Sequence, residues 1–399
     1  MPDPIFPEVT ISARAAARLR AGHLWVYTSD ASSDSGAQPG SLAYVVDPRK
    51  ERLGTALYSS SSQIKLRLLT RDQLKSEEQF LQLVRERIAA ALDYRKMVVK
   101  DSDTCRIVFS EGDLLPGLVI DRYNDIYTLQ VLTQAWDRPE RKTTVFKALQ
   151  ELAHAENIAE RTDERIRELE SLPALKNGML LGAKNATVVT MNGVRFQYDA
   201  LSGQKTGAFL DQRENYAAAA GYARGTALDV CTYQGGFALH LARVCEHVTA
   251  LDISREALEI AEQNEKLNAS VHKNEIEWIE ANAFDLLKDY ANAGRQYDVI
   301  VLDPPAFART KRNLPAALRG YKELNLRALK MLRPGGTLVT CSCSFHMDEP
   351  EFMQMLTAAA QDARRYITVM ESRAQAKDHP ILLGVPETHY LKCVIASVR

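Results

Sequence analysis

Cysteine is scarce in this chain: six in 399 residues, with no C-x-x-C pair among them. That excludes a disulfide scaffold and a structural zinc site of the paired-cysteine kind. An export signal is missing too, since residues 1–9 carry three prolines and two acids instead of an apolar run. The thiols are therefore expected to be reduced and the protein cytoplasmic. No apolar stretch is long enough to span a bilayer. No G-x-G-x-x-G occurs, so the sequence lacks the pyrophosphate loop of dinucleotide enzymes. Charge of one sign does not dominate: the formal net charge is −1. That figure hides a split, because residues 1–100 hold 15 Lys/Arg against 11 Asp/Glu, a net of +4, leaving −5 for the remainder. A basic N-terminal part on a mildly acidic body is a modest pointer to a nucleic-acid partner.

What is present suffices for large cores. Hydrophobic residues make up 46% of the chain and charged ones 25%, the balance of a soluble globular protein of two or three domains. Residues 1–73 predict a small β domain. Its runs Leu42–Val46, Leu53–Tyr58 and Ile64–Leu69 are separated by turn-rich stretches at 29–36 and 47–50. A helix over Ala13–Ala21 carries Arg14 and Arg18 on one face, with Arg20 nearby; Gly22 ends it and His23–Tyr27 opens a strand. Such a basic β-barrel suits RNA phosphates, and an ordinary solvated helix beside a barrel is the plainer alternative.

Residues 74–103 predict an amphipathic linker helix, apolar at Phe80, Leu81, Val84, Ile88, Ala91 and Leu92. Residues 104–200 form an expected α/β middle domain: strands near 106–110, 118–121 and 126–132, a helix over 140–155, and a hairpin over 188–198 centred on Asn192-Gly193. From about Leu201 strands and helices alternate, as in a doubly wound sheet.

The chemistry gathers at strand ends in this last region, where open α/β sheets bind ligands. Strand 227–230 leads into Cys231-Thr232-Tyr233-Gln234-Gly235-Gly236. Strand 248–251 ends at Asp252, placed to bind both ribose hydroxyls, and strand 276–279 ends near Asn282-Ala283-Phe284, placed to flank adenine. Strand 299–302 delivers Asp303-Pro304-Pro305, and strand 337–340 runs into Cys341-Ser342-Cys343-Ser344. A ribose-binding acid without a pyrophosphate loop fits S-adenosylmethionine better than NAD. A carboxylate and a thiol at the ends of two strands of one sheet point to chemistry on a planar nitrogen-containing ring. Taken alone, the Cys-Ser-Cys run is more simply read as small packing residues, and either acid as a helix or turn cap.

With these residues the chain resembles the PUA-domain 23S ribosomal RNA cytosine-C5 methyltransferases nearly end to end. The likeness runs through His23–Tyr27, Gly112–Arg122, Lys205–Arg213, Tyr233–Phe237, Asp303–Pro305, Arg319–Asn325 and Ser342–Ser344. Three positions differ: Ala306 stands where that family often has Lys, Gln234 where Thr is commoner, and Cys341 adds a second thiol. The resemblance implies an N-terminal PUA-like β-barrel, a small α/β middle domain, and a Rossmann-like class I methyltransferase domain over 201–399 with a seven-stranded doubly wound sheet. It makes Cys343 the nucleophile and Asp303 its partner.

The candidate residues for S-adenosyl-L-methionine are Phe209, Gln212, Asp229, Thr232, Tyr233, Gly235, Gly236, Phe237, Asp252, Ile253, Asn282, Ala283, Phe284, Asp303 and Pro304. Arg14, Arg18, Arg20, Trp25 and Lys65 are the candidates for contacts to rRNA. No metal, no membrane and a possible homodimer complete the expectations. In the implied reaction a Cys343 thiolate adds to C6 of cytosine, making C5 nucleophilic toward the methyl group. Two other readings stay open. One is an exocyclic-amine methyltransferase acting on guanine N2 or adenine N6, which needs no thiol; the other is an RNA-binding protein with a vestigial cofactor fold.

Overall fold

The computed structural model describes residues 6–32, 36–202, 209–272, 274–308 and 310–399. Part of the expected turn, Ser33–Ser35, and the Lys205–Ala208 portion of the family motif lie outside the described residues. The chain divides into two compact units: residues 1–189, 198–208 and 377–388 form one, and residues 190–197, 209–376 and 389–399 the other.

In the first unit, Ser12 caps a helix over Ala13–Arg20 through the Ala15 amide. A five-stranded sheet runs in the order Glu8–Thr10, Leu42–Val46, Arg52–Tyr58, Ile64–Thr70, Trp25–Tyr27. The first pair is parallel and the others antiparallel. A second sheet has the order Gly178–Leu181, Asn157–Arg161, Ile126–Val131, Leu118–Tyr123, Thr104–Phe109. The helix Glu77–Val98 does more than link them. It buries Phe80, Val84, Ile88, Ala91 and Leu92 in one core with Ile107, Leu118, Leu129, Trp136 and Ile158 of the second sheet's neighbourhood. A buried arginine, Arg141, ties that helix down by an ion pair to Glu77 and bonds to the carbonyls of Gly40 and Ala135. Residues 377–388 also belong here: the Asp378 carboxylate accepts from the Arg106 amide at 2.9 Å, and its carbonyl accepts from Arg95 at 2.7 Å.

The hairpin is present as strands Ala186–Met191 and Val194–Asp199. Asn192 and Gly193 have φ of 51° and 80°, the two positive values that a two-residue Asn-Gly turn demands.

The second unit carries the seven-stranded sheet. We label its strands β1 (Thr226–Val230), β2 (His247–Asp252), β3 (Ile276–Glu280), β4 (Tyr297–Leu302), β5 (Leu332–Ser342), β6 (Ile367–Arg373) and β7 (Lys392–Val398). Their order is β3-β2-β1-β4-β5-β7-β6. The first five are mutually parallel, and β7 is antiparallel to both neighbours. The central strands read as continuous apolar runs because both faces are covered. Between Tyr297↔Leu332 and Val299↔Thr337 the β4–β5 register slips, so Arg333–Gly336 forms an excursion within β5. Three helices were not foreseen: Arg213–Gly221, Ala283–Asn292 and Leu314–Met331. The last of these buries Ala317, Tyr321, Leu324, Ala328 and Leu329, a stripe of helical period.

Gly54, on Arg52–Tyr58, has φ of 143°, and a Cβ there would sit 2.1 Å from the Thr70 carbonyl oxygen. Backbone must therefore shift to admit a methyl group. Gly54→Ala is expected to destabilise the first unit by more than ~1 kcal/mol. Gly178→Ala, whose Cβ would meet nothing within 4 Å, is expected to stay within about 0.5 kcal/mol of the parent. Urea midpoints of the two variants check the contrast.

Candidate active site

Where β1 ends, the chain turns through Cys231, Tyr233 and Gly235 with φ of 64°, 51° and 88°. Two of the three are not glycine, so the loop must be held by other bonds. The Asp229 carboxylate supplies two of them through one oxygen, which accepts from the Thr232 hydroxyl at 2.6 Å and the Ala238 amide at 2.9 Å. Its other oxygen has no hydrogen-bond partner among the described residues. Asp252, at the end of β2, accepts from the Tyr233 amide at 2.8 Å through one oxygen and the Ser254 amide at 3.0 Å through the other. Gly236 is needed for space: a Cβ there would lie 2.5 Å from the ring of buried Tyr216, which packs edge-on against Phe237.

Each Asp252 oxygen keeps a lone pair beyond its one backbone bond, enough to accept a ribose hydroxyl. Beside it Ile253 is 70% exposed, and at the end of β3 Phe284 is 37% exposed. Apolar side chains left bare at the carboxyl edge of a sheet fit a flat purine. Asn282 caps the helix Ala283–Asn292, accepting from the Phe284 amide at 2.9 Å, and so sets where that phenyl ring stands. The residues present therefore suit an adenosine cofactor without phosphates.

Asp303 follows β4 and is anchored by its amide to the Val230 carbonyl at 3.2 Å. A chain of polar side chains reaches it. Arg373 Nε donates to Asn215 Oδ1 at 2.8 Å, Asn215 Nδ2 to Gln212 Oε1 at 2.7 Å, and Gln212 Nε2 to Asp303 Oδ1 at 3.0 Å. Arginine can only donate, so it fixes the direction of every bond downstream and aims an N–H at the carboxylate. The sequence marked Gln212 and Asp303; Asn215 and Arg373 went unmarked, since no motif links residues 158 positions apart.

The β4–β5 register pairs Leu302 with Thr340, which sets Asp303 beside Cys341. Cys343 comes two residues later, past the end of the strand. Cys341 is fully buried opposite Cys393 of β7. Burial raises its thiol well above the usual value, and Cys393 and the Asp303 charge add to that. Burial likewise raises Cys231, with Asp252, Asp303 and Asp229 reinforcing it. Cys343 is partly exposed. The serines flanking it are both held by buried Tyr321: the Ser342 hydroxyl donates to the Tyr321 oxygen at 3.1 Å, and Ser344 Oγ lies 3.0 Å from the same atom. Ser344 Oγ also accepts from the Ala308 amide at 3.1 Å. Lys392, at the start of β7, is another residue that no sequence motif marked. It is buried, and its Nζ donates to the carbonyls of Ser344 and Tyr390 at 2.7 and 2.9 Å.

In the first unit the arginines proposed for RNA already have partners. Arg14 and Arg18 share Asp30, and Arg20 bridges Asp47 and Glu51 at 2.7 Å each. The Trp25 indole donates to Glu111 at 2.8 Å, and Lys65 lies over the Tyr58 ring. Arg14 remains the most open, its side chain 75% exposed. Among the described residues no group of three His, Cys, Asp or Glu could hold a metal, and no helix is long and apolar enough to cross a membrane.

Residues 129–384 match the S-adenosylmethionine-dependent methyltransferase family, and residues 9–71 match a PUA-like domain. The ribosomal RNA large subunit methyltransferase I of Pseudoalteromonas translucida is 34% identical over 95% of this chain and 96% of its own. That of Photobacterium profundum is 36% identical over 96% of each. This chain belongs to that methyltransferase family. A solved methyltransferase in complex with SAH has the same fold over 98% of this chain and 99% of its own, with a TM-score of 0.81 at 17% identity. Membership makes S-adenosylmethionine the cofactor and the PUA-like region the N-terminal companion of the methyltransferase domain.

Asp229 yields a pH prediction. Burial raises its carboxyl to about 7, against the lowering effect of the Thr232 and Ala238 bonds and with some help from the Asp252 charge. In the unfolded chain an aspartate titrates near ~3.9. Between these values the folded chain keeps a proton that the unfolded chain has released. The stability it contributes is thus complete below about pH 4 and lost as pH rises through about 7. Asp229→Asn is neutral at every pH. Relative to the parent, its stability in urea is expected to rise between pH 4 and 7, by up to about 4 kcal/mol. A pH-independent difference would contradict this.

Proposed function

We propose that this chain methylates C5 of a cytosine in 23S ribosomal RNA, with Cys343 as the attacking thiol. The observation that carries the reading is a partly exposed cysteine between two clamped serines, just past the end of the strand next to the one that delivers Asp303. Support for the substrate comes from relatives whose names place them on large-subunit ribosomal RNA. The RNA is proposed to be free or only partly assembled into its subunit, with Arg14, Arg18, Arg20, Trp25 and Lys65 of residues 1–73 offered as contacts. We keep 74–103 as a connecting helix, 104–200 as a middle domain and 201–399 as the catalytic domain of this scheme.

S-adenosylmethionine, when bound, supplies the methyl group on an electrophilic sulfonium. Asp252 is assigned to the ribose hydroxyls, Ile253 and Phe284 to the faces of the adenine, and Asn282 and Ala283 to its edge. Phe209, Gln212, Thr232, Tyr233, Gly235, Gly236, Phe237 and Pro304 are proposed to line the cofactor site, with Asp229 holding its loop by the Thr232 and Ala238 bonds. Cytosine C5 is a weak nucleophile on its own. The Cys343 thiolate adds to C6, which moves electron density to C5 and N3 and lets C5 take the methyl group; loss of the C5 proton to solvent then expels the thiolate from C6 and restores the ring. Asp303, kept an acceptor on one oxygen by the Gln212 N–H, holds the exocyclic amine edge so that the ring presents C6 to sulfur. A cytosine in a paired region must first be unstacked, at a cost of a few kcal/mol.

Cys343→Ala is expected to lower methyl transfer by roughly 10³-fold or more while leaving cofactor affinity unchanged by calorimetry. RNA carrying 5-fluorocytosine at the target should trap the protein covalently through residue 343. Transfer that survives Cys343→Ala would favour the exocyclic-amine reading, which needs no thiol. Asp252→Ala should do the reverse, weakening cofactor binding at least about tenfold through loss of two charge-assisted hydrogen bonds.

A further inference from the structure

Lys392 pairs with Ser342 across β5 and β7, one residue short of Cys343, and is only 6% exposed. A neutral amine has two hydrogens and one lone pair. The carbonyls of Ser344 and Tyr390 take both hydrogens, at 2.7 and 2.9 Å. The lone pair is then the one position left to use. The charged groups that face Lys392 are Cys343 from the end of β5 and Asp348, Glu349 and Glu351 from the start of the helix Glu349–Ala363. Tyr321, on the helix Leu314–Met331, also feels the charge of Cys343, and its own phenol is raised chiefly by burial.

We propose that Lys392 is the proton acceptor that converts Cys343 to its thiolate. The proposal rests on Cys343 being the nucleophile. In this step the Cys343 S–H bond breaks, the electron pair stays on sulfur, and the proton joins the Lys392 lone pair to give an ammonium. The thiolate pair then forms the bond to C6. When that bond later breaks the pair returns to sulfur, and the ammonium can return its proton to sulfur or lose it to water. Matched proton affinities keep the transfer close to thermoneutral, so it can run in either direction. Burial lowers Lys392 to about 8 against the opposing effect of its negative neighbours, close to the ~8.5 of a free thiol. A lysine left in water, near ~10.4, would stay protonated and could not serve.

The test is the rate of Cys343 alkylation by iodoacetamide in the full chain, read from the mass of its peptide between about pH 6 and 10. Lys392→Gln keeps two N–H donors for the carbonyls but has no basic lone pair. It is expected to move the alkylation midpoint up by one unit or more, the equivalent of a tenfold loss of thiolate near neutrality. Methyl transfer should fall about tenfold in kcat at pH 7, recover toward pH 9, and leave the KM for S-adenosylmethionine unchanged. If melting shows that the Gln variant does not fold, Lys392→Met is read by the same alkylation assay. An unmoved midpoint in a folded variant overturns the proposal. A shifted midpoint with transfer surviving in Cys343→Ala would instead overturn the assignment of Cys343 as nucleophile and leave the proton relation intact.

Discussion

The hydroxyl of Tyr321 is the fixed point of the catalytic edge. It lies within hydrogen-bond reach of both Ser342 and Ser344, so the backbone on either side of Cys343 is pinned to one buried atom. The ring is wedged between Phe307, 4.7 Å away by centroid, and Phe352, which meets it edge-on. A buried tyrosine has few rotamers to choose from, and this one is held at both ends. The segment after β5 therefore leaves the sheet in a defined direction although it is no longer part of a ladder. A reactive thiol needs such support, because an error of about 1 Å in the attacking atom is enough to cost rate.

Three aspartates at this edge show how surroundings divide one chemistry among several tasks. Asp229 is sealed inside, shares a single oxygen between a hydroxyl and an amide, and has its carboxyl raised to about 7 by burial. Its role is to hold a loop with two non-glycine residues in the left-handed region. Asp252 takes one backbone N–H on each oxygen, a balanced pattern that leaves capacity on both. Asp303 receives a directed N–H from Gln212 at the end of a chain whose polarity Arg373 dictates. Burial decides the first, backbone amides the second, and a side-chain relay the third.

The strand ends were legible in the sequence because parallel strands covered on both faces are unbroken apolar runs, and the first polar residue after each run marks the edge. Thus Asp252, Asp303 and the Cys-Ser-Cys segment could be placed without coordinates, as could the Asn192-Gly193 turn, whose two residues favour positive φ. The helix Leu314–Met331 was legible in principle from its apolar stripe, which lies between the Asp303-Pro304-Pro305 and Cys341–Ser344 motifs. The helix Ala283–Asn292 was hidden for a different reason. Its first residues stand at a strand end placed to flank adenine, and the Asn282 cap that begins the helix is a single side chain. Charge was the least legible feature. Arg14, Arg18 and Arg20 count as +3 in sequence, yet Asp30, Asp47 and Glu51 lie 12 to 31 positions away from their partners and offset them in space. The relay to Asp303 and the lysine beside Cys343 were invisible because tertiary pairing alone creates them.

Tertiary pairing also separates the one cysteine of six that is proposed to carry the chemistry. Cys105, Cys245, Cys341 and Cys393 are buried, and Cys341 faces Cys393 across antiparallel strands, where burial opposes ionisation of the Cys341 thiol. Cys231 reaches the edge, but burial and three aspartates oppose its ionisation. Cys343 is two residues from Cys341 and is the same chemical group. It differs in lying past the ladder, partly exposed, where the buried amine of Lys392 is proposed to take up its proton. The spacing Cys-Ser-Cys could not distinguish the two. The antiparallel return of β7 does, because it brings Cys393 against the first thiol and the amine of Lys392 within electrostatic reach of the second.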